Sequence, residues 1–223
     1  MPSVSIKCVI VGDQQIGKTC LLNSYVHPNN QFERQHIPTV FDTFLVTKEQ
    51  NATQINLGLY DTSGSDENEV MRLDTYSQTN VFIIAFAIDN IKSFENVKNK
   101  WFKEITHFGQ YNVPVLLIGL KADARNTDPI QGKAEHTLAN DEALDISLKS
   151  PKSRQSWQKV LKNSPASTSL REIVEKKKTI TYAQGITLHK EIGAAKYIEC
   201  SSFESEGIDA VFGEVLRLGY QKK

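Results

Sequence analysis

Gly12-Asp13-Gln14-Gln15-Ile16-Gly17-Lys18-Thr19 decides the reading of this chain. The octapeptide follows a short run rich in Ile and Val at 6–11 and opens a stretch of helical periodicity at 18–26. Glycines at both ends, then Lys and Thr, match the loop that joins a buried strand to a helix and wraps phosphate groups. A glycine-flanked turn at a helix N-terminus aims several backbone N–H groups inward, and the helix dipole there favours negative charge. Gln15, Ile16, Gly17, Lys18, Thr19 and Cys20 are therefore assigned to nucleotide binding. Lys18 is placed to meet the β- and γ-phosphates as a point charge, and the Thr19 hydroxyl to supply one ligand of an octahedral Mg²⁺.

Working outward, short apolar runs recur at 55–60, 81–88, 113–119 and 197–200, with helical periodicity at 91–108, 182–192 and 207–218. Continuous runs of Val, Ile and Phe read as strands buried on both faces. Strand alternates with helix, which predicts an α/β fold: a six-stranded, mostly parallel sheet with helices on both faces. A strand at 42–47 is expected to turn about Glu49-Gln50-Asn51 into 55–60, giving the one antiparallel edge strand. From 126 to about 169 the chain is polar and broken by Asp128-Pro129, Ser150-Pro151 and Ser164-Pro165. That stretch reads as an excursion from the domain, either a solvated loop or one carrying short helices at 142–148 and 154–162, with a helix at 170–178.

At 223 residues, 39% of them hydrophobic, the chain suits one domain over 1–223. Lys and Arg total 26 against 26 for Asp and Glu, so the charge balance asks for no nucleic acid. The three cysteines, Cys8, Cys20 and Cys200, are few, odd in number and set in apolar runs. They read as reduced thiols in the cytoplasm rather than a disulfide framework. No apolar run approaches the length of a membrane span and Met1-Pro2-Ser3 opens no signal-peptide pattern, so any membrane contact is expected to be peripheral.

Asp61-Thr62-Ser63-Gly64 closes the strand at 55–60. Asp61 there can hold Mg²⁺ through water, and the Gly64 N–H can reach a γ-phosphate. Leu120-Lys121-Ala122-Asp123 follows the strand at 113–119, and Cys200-Ser201-Ser202 follows the last one. Both lie on the C-terminal rim where open α/β sheets bind ligands. Asp123 can accept two hydrogen bonds from guanine N1 and N2, a donor pair that adenine lacks, and so selects GTP over ATP.

These residues, together with Ile37-Pro38-Thr39-Val40-Phe41-Asp42, Ser93-Phe94-Glu95-Asn96-Val97, Lys100-Trp101, Ile180-Thr181-Tyr182 and Lys190-Glu191-Ile192-Gly193-Ala194, resemble the Ras superfamily of small GTPases, and within it the Rho/Rac branch. The likeness covers nearly the whole chain outside about 127–169. Rho proteins carry an insert helix there, which implies an enlarged insert over about 127–178. The resemblance implies that Thr39 binds Mg²⁺ and the γ-phosphate, that Phe32 stacks on the guanine edge and that Lys121 covers the base. Ser201 and Ser202 would line the base, with the Ser202 N–H offered to guanine O6. Val40, Phe41 and Asp42 would face effector proteins. GTP or GDP and Mg²⁺ are the implied ligands, an exchange factor is a candidate partner, and the protein is expected to be a monomer.

The family pattern breaks at hydrolysis. The family's template uses a switch II Gln to orient the attacking water and a partner's arginine finger to stabilise the transition state. Ser65 stands at the Gln position and is too short to bridge water and transition-state oxygens. Gln14 and Gln15 stand where Ras has glycines and Rac has Gly then Ala, and Gln14 is expected to crowd the point where phosphate, water and finger converge. With no catalytic residue intact, the chain resembles the Rnd-type atypical Rho proteins, which implies GTP binding with hydrolysis impaired or absent.

Two alternatives stay open. Gln14 or Gln15 turns inward and restores slow turnover, or Leu120 (for Asn or Thr) and Phe203 (for Lys) weaken the base site enough to leave a nucleotide-free scaffold. His36 replaces a switch I Tyr and Tyr60 a Trp that helps exchange factors choose, while Asn68, Val70, Leu73 and Asp74 alter the switch II face. Cys20 at a helix N-terminus is either a redox-sensitive thiol or a small buried residue. The sequence closes on Gln221-Lys222-Lys223 without a Cys-a-a-X box, so a lipid anchor is expected only on an extension absent here.

Overall fold

The computed structural model describes residues 3–28, 39–50, 53–109, 112–125 and 179–221. The expected insert at 127–178, Phe32 and His36 lie outside them. Six strands form one sheet: β1 (Ser3–Val11), β2 (Phe41–Gln50), β3 (Thr53–Thr62), β4 (Val81–Ala87), β5 (Val115–Leu120) and β6 (Lys196–Glu199). Their order is β2-β3-β1-β4-β5-β6. Every neighbouring pair is parallel except β2 with β3, as the sequence predicts.

The helices are α1 (Lys18–Val26), α2 (Glu69–Asp74), α3 (Ile91–Asn96), α4 (Phe102–Phe108), α5 (Tyr182–Ile192) and α6 (Ile208–Gln221). A π-helical turn, Val97–Trp101, joins α3 to α4, so the helix expected over 91–108 is one course with a widened middle. The β2–β3 hairpin is longer than expected. Glu49 and Gln50 stay in the ladder, with Gln50 opposite Thr53, rather than forming the turn. The Thr181 hydroxyl and Gln184 amide cap each other's backbone N–H at the start of α5, a reciprocal pairing that fixes where this helix begins.

Alternation along the strands sends apolar side chains to both faces, which is why β4 carries no polar residue. On one face Ile6, Ile10, Leu57, Leu59 and Ile83 pack with Leu21 and Leu22 of α1 and Val211, Phe212 and Val215 of α6. On the other, Val9, Phe82, Ile84, Phe86 and Leu117 pack with Val97, Trp101, Ile105 and the α5 residues Leu188 and Ile192. All seven residues of β4 are buried. Among the described residues no helix is long and apolar enough to cross a membrane. The three cysteines are free.

The register then places the site. Ile10 pairs with Asp61 and Val11 with Ile84, so the loop leaving β1 begins beside the end of β3. The ends of β5 and β6 open on the same rim.

Candidate functional site

The loop between β1 and α1 turns on three left-handed or extended positive-φ residues, Gly12 (φ 151°), Gln15 (φ 60°) and Gly17 (φ 106°). Gln15 stands there without the freedom of glycine, a conformation that costs about 1–2 kcal/mol for a residue with a Cβ. Its carbonyl accepts a hydrogen bond from Lys121 Nζ at 3.2 Å, which ties the loop to the end of β5. Among the described residues no side chain caps the N-terminus of α1, so its first N–H groups remain directed at the loop. Ile16 is buried and anchors the turn, while Gln14 and Gln15 are exposed.

Lys18 is 7% exposed, and its Nζ donates to the Gly12 and Asp13 carbonyls, each at 2.8 Å. Burial lowers its pKa to about 8, against the pull of the Asp61 and Asp13 carboxylates, which raise it. An ammonium has three N–H donors, and two are engaged in bracing the loop.

Three oxygens from three elements converge next to it. Thr19 Oγ1 donates to Asp61 Oδ2 at 2.5 Å and lies 2.8 Å from Thr39 Oγ1. Asp61 is fully buried, and burial raises its pKa. Its other oxygen, Oδ1, is buried with no hydrogen-bond partner among the described residues. A buried carboxylate oxygen left unmatched is costly and calls for a positive partner. Two hydroxyls and a carboxylate form the hard oxygen set that Mg²⁺ prefers, directly or through its waters, so these residues fit that ion.

Gly64 forms the opposite wall. A Cβ built on it would lie 2.4 Å from Gln14 N and 2.5 Å from Gly12 O, so only glycine lets this segment sit against the β1–α1 loop. Ser63 Oγ accepts from Ser65 N at 3.2 Å and from Asn68 Nδ2 at 3.1 Å. Asn68 therefore points at least partly inward rather than adding to an outer docking face. Ser65 caps the short Asp66–Asn68 turn, accepting from Glu67 N at 3.3 Å. Behind this wall stands Arg72 of α2, joined to Glu104 at 2.8 and 2.9 Å and to the Ser63 and Ser65 carbonyls, both at 2.9 Å. Nothing in the sequence pattern singled out Arg72 or Glu104, because the pair is 32 residues apart and neither belongs to a motif.

In the sequence Asp13 is simply part of the loop, and the structure gives it a specific job. Its carboxylate accepts from Asn96 Nδ2 and Trp101 Nε1, both at 2.7 Å, which fastens the loop to the π-helical turn. The presence of Asp13 in place of a plain spacer and of Trp101 in the third helical stretch was the available signal.

At the other end, Asp123 Oδ1 accepts from Ser201 Oγ at 2.6 Å, and Glu204 N donates to that hydroxyl at 3.1 Å. Ala122 N donates to Cys200 O at 3.1 Å, holding the two rim segments side by side. Lys121 has a left-handed backbone (φ 60°) and its Nζ lies 3.7 Å from Asp89 Oδ1. Leu120 is buried, with its Cδ1 3.9 Å from where a Cβ on Gly17 would be, so it meets the loop by contact alone. Ser202 is half-buried and Phe203 is 56% exposed. Thr39 is half-buried, whereas Val40, Phe41 and Asp42 are exposed beside Tyr60, whose ring lies 6.1 Å from that of Phe41. Burial is the largest influence on the Cys20 thiol and raises its pKa, against Lys121, which lowers it.

The structure thus gathers Gln14 through Cys20, Thr39, Asp61, Gly64 and Ser65 at one end of the rim, and Lys121, Asp123, Ser201 and Ser202 at the other. A family model, that of the Ras family, matches residues 7–169. Given this match and a mostly parallel six-stranded sheet with a phosphate-type loop after its first strand, the chain belongs to the Ras family of small GTP-binding proteins.

Proposed function

We propose that this protein is a Rho-branch member of the family that binds GTP with Mg²⁺, hydrolyses it poorly or not at all, and signals by presenting Val40, Phe41 and Asp42 to effector proteins. One observation carries the reading. At the position where hydrolysis needs a long amide side chain, Ser65 has a short hydroxyl that caps a neighbouring turn, and its carbonyl is taken by Arg72.

Hydrolysis requires water held in line with the γ-phosphorus, and much of the rate comes from that orientation. Ser65 has neither the reach nor a free role for it. The Gln14 backbone stands beside Gly64 and the residue is exposed, so its side chain would crowd the approach of an arginine finger.

Binding survives these changes. The backbone N–H groups of residues 15–20 and the Lys18 ammonium would take the phosphates, and Gly64 N–H the terminal one. Thr19, Thr39 and, through water, Asp61 would hold Mg²⁺, which when bound neutralises charge on the β- and γ-phosphates. Asp123, steadied by Ser201, would read guanine N1 and N2, with Ser202 N–H toward O6, Lys121 over the base and Phe32 at its edge. The exposure of Val40 (51%) and Phe41 (40%) supports the effector role. The reading places the protein in the cytoplasm as a monomer, with Tyr60 bearing on the choice of exchange factor.

The test is to denature the purified protein, identify its bound nucleotide by ion-exchange chromatography, and follow a single turnover of loaded GTP. GTP that stays uncleaved for hours is the expected result. GDP with measurable phosphate release would replace this reading with a cycling switch, and absence of nucleotide would replace it with a scaffold.

A further inference from the structure

Arg72 is a charged side chain only 2% exposed. Burying a guanidinium is expensive unless its donors are matched, and four of the five N–H groups here are. Nε and Nη2 bind the two Glu104 carboxylate oxygens at 2.8 and 2.9 Å. Nη1 donates to the Ser63 carbonyl and to the Ser65 carbonyl, each at 2.9 Å. The Tyr76 hydroxyl donates to Glu104, and the Trp101 ring centre lies 5.0 Å from the guanidinium carbon. Glu104 and Trp101 thereby fix the direction in which Arg72 points.

The two carbonyls that Arg72 holds bracket Gly64. On its other side Gly64 abuts the phosphate loop, with no room for a Cβ. The peptide carrying the Gly64 N–H is therefore gripped between the loop backbone and a buried cation. The same π-helical turn also holds the loop itself, through Trp101 Nε1 and Asp13 at 2.7 Å. Both walls of the γ-phosphate end rest on one support.

We propose that Arg72 is a positioning residue for γ-phosphate recognition: by holding the Ser63 and Ser65 carbonyls it sets the Gly64 N–H at the phosphate site before nucleotide arrives. The inference rests on the reading of this site as one for GTP. A donor fixed in advance costs no reorganisation when its ligand binds. On that reading the Gly64 N–H would reach only the terminal phosphate, so Arg72 would strengthen GTP relative to GDP. A guanidinium that merely stabilised the fold would affect both nucleotides alike.

The experiment compares the full chain with its Arg72→Gln, Arg72→Lys and Glu104→Gln variants. Each is titrated with fluorescent GDP and with a fluorescent non-hydrolysable GTP analogue at saturating Mg²⁺, with thermal unfolding recorded in parallel. Arg72→Gln is expected to lower affinity for the GTP analogue about tenfold while changing GDP affinity less than about twofold. Arg72→Lys, whose ammonium cannot bind both carbonyls and Glu104 with the same fork, falls between. A GTP-to-GDP affinity ratio that stays at the wild-type value overturns the proposal, even if stability or both affinities drop. Should Arg72→Gln not fold, Glu104→Gln decides by the same ratio: a fall of about threefold or more supports the role, and no change overturns it. Wild-type protein that binds neither nucleotide overturns the GTP reading and this proposal together, whereas an unchanged ratio in a binding protein overturns this one alone.

Discussion

Two short segments close the phosphate end of the site. The 63–65 segment has its carbonyls on Arg72, a Ser63 hydroxyl bonded to Ser65 and Asn68, and Gly64 pressed on the loop. Among the described residues Thr39 is joined to the site by one hydroxyl contact, 2.8 Å from Thr19, and the next residues, Val40 and Phe41, are 51% and 40% exposed. The protein's own charges organise the first segment. The second leans on the Thr19 hydroxyl, which is itself bonded to Asp61. On the proposed reading one wall of the site is preset and the other would report the ligand, which is the division of labour a binding switch needs.

The largest effect that sharpens this contrast is on stability. Glu104→Ala leaves the Arg72 charge buried and unpaired, and should cost about 3–5 kcal/mol in urea unfolding. A loss below about 1 kcal/mol would mean that the 63–65 segment is no better held than Thr39.

Hydrolysis tests the same wall from the reaction side. If the wall is preset and lacks only a side chain to orient water, Ser65→Gln combined with Gln14→Gly should raise the single-turnover rate of GTP cleavage about 100-fold. The Gln would enter a segment already anchored at the Ser65 carbonyl. No increase would show that the backbone position, and not the missing side chain, limits the reaction. Gly64→Ala should come next, because its Cβ would meet Gln14 N at 2.4 Å and must push the wall outward. Strain of this kind costs about 1–3 kcal/mol, read as roughly a tenfold weaker GTP analogue by competition titration. Unchanged affinity would mean that the Gly64 N–H takes no part.

The preset wall was the part least legible in the sequence. Contiguous motifs carry their own context, so 12–19 and the Asp61 segment could be read directly, and the mostly parallel sheet with one antiparallel edge followed from continuous apolar runs alternating with helices, whereas the order of its strands came from the structure. The helix at 182–192 was legible from its periodicity, whereas the Thr181 and Gln184 pairing that caps its start emerged only with the structure. Arg72 gave no such sign. It sits between Met71 and Leu73 on a short helix, looks like an ordinary surface arginine, and gains its meaning only when the fold brings Glu104 to it. Asp13 and Trp101 are likewise 88 residues apart, joined by a π-helical turn that periodicity alone shows as plain helix. The base end was legible in its motif residues, but the contact between Leu120 and the loop needed coordinates. At Cys20 the sequence shows a place near a helix start, which argues for a lowered pKa, and only the structure shows the burial that raises it.

Thr39→Ala should give the smallest effect, and the most specific one. Without it Thr19 keeps its 2.5 Å hydrogen bond to Asp61, and the residues that follow Thr39 are already exposed. Urea unfolding of the ligand-free protein should therefore move by no more than about 0.5 kcal/mol. The change should appear when Mg²⁺ is titrated against protein with the GTP analogue, as an apparent Mg²⁺ affinity weakened about threefold by the loss of one neutral oxygen contact. Glu104→Ala should do the reverse, lowering stability while leaving the Mg²⁺ titration near its original midpoint, because no oxygen of the Thr19, Thr39 and Asp61 set touches Glu104 among the contacts seen. If Thr39→Ala instead unfolds the protein as readily as Glu104→Ala does, the two segments are one cooperative unit, and the ligand-reporting role assigned to Thr39 falls.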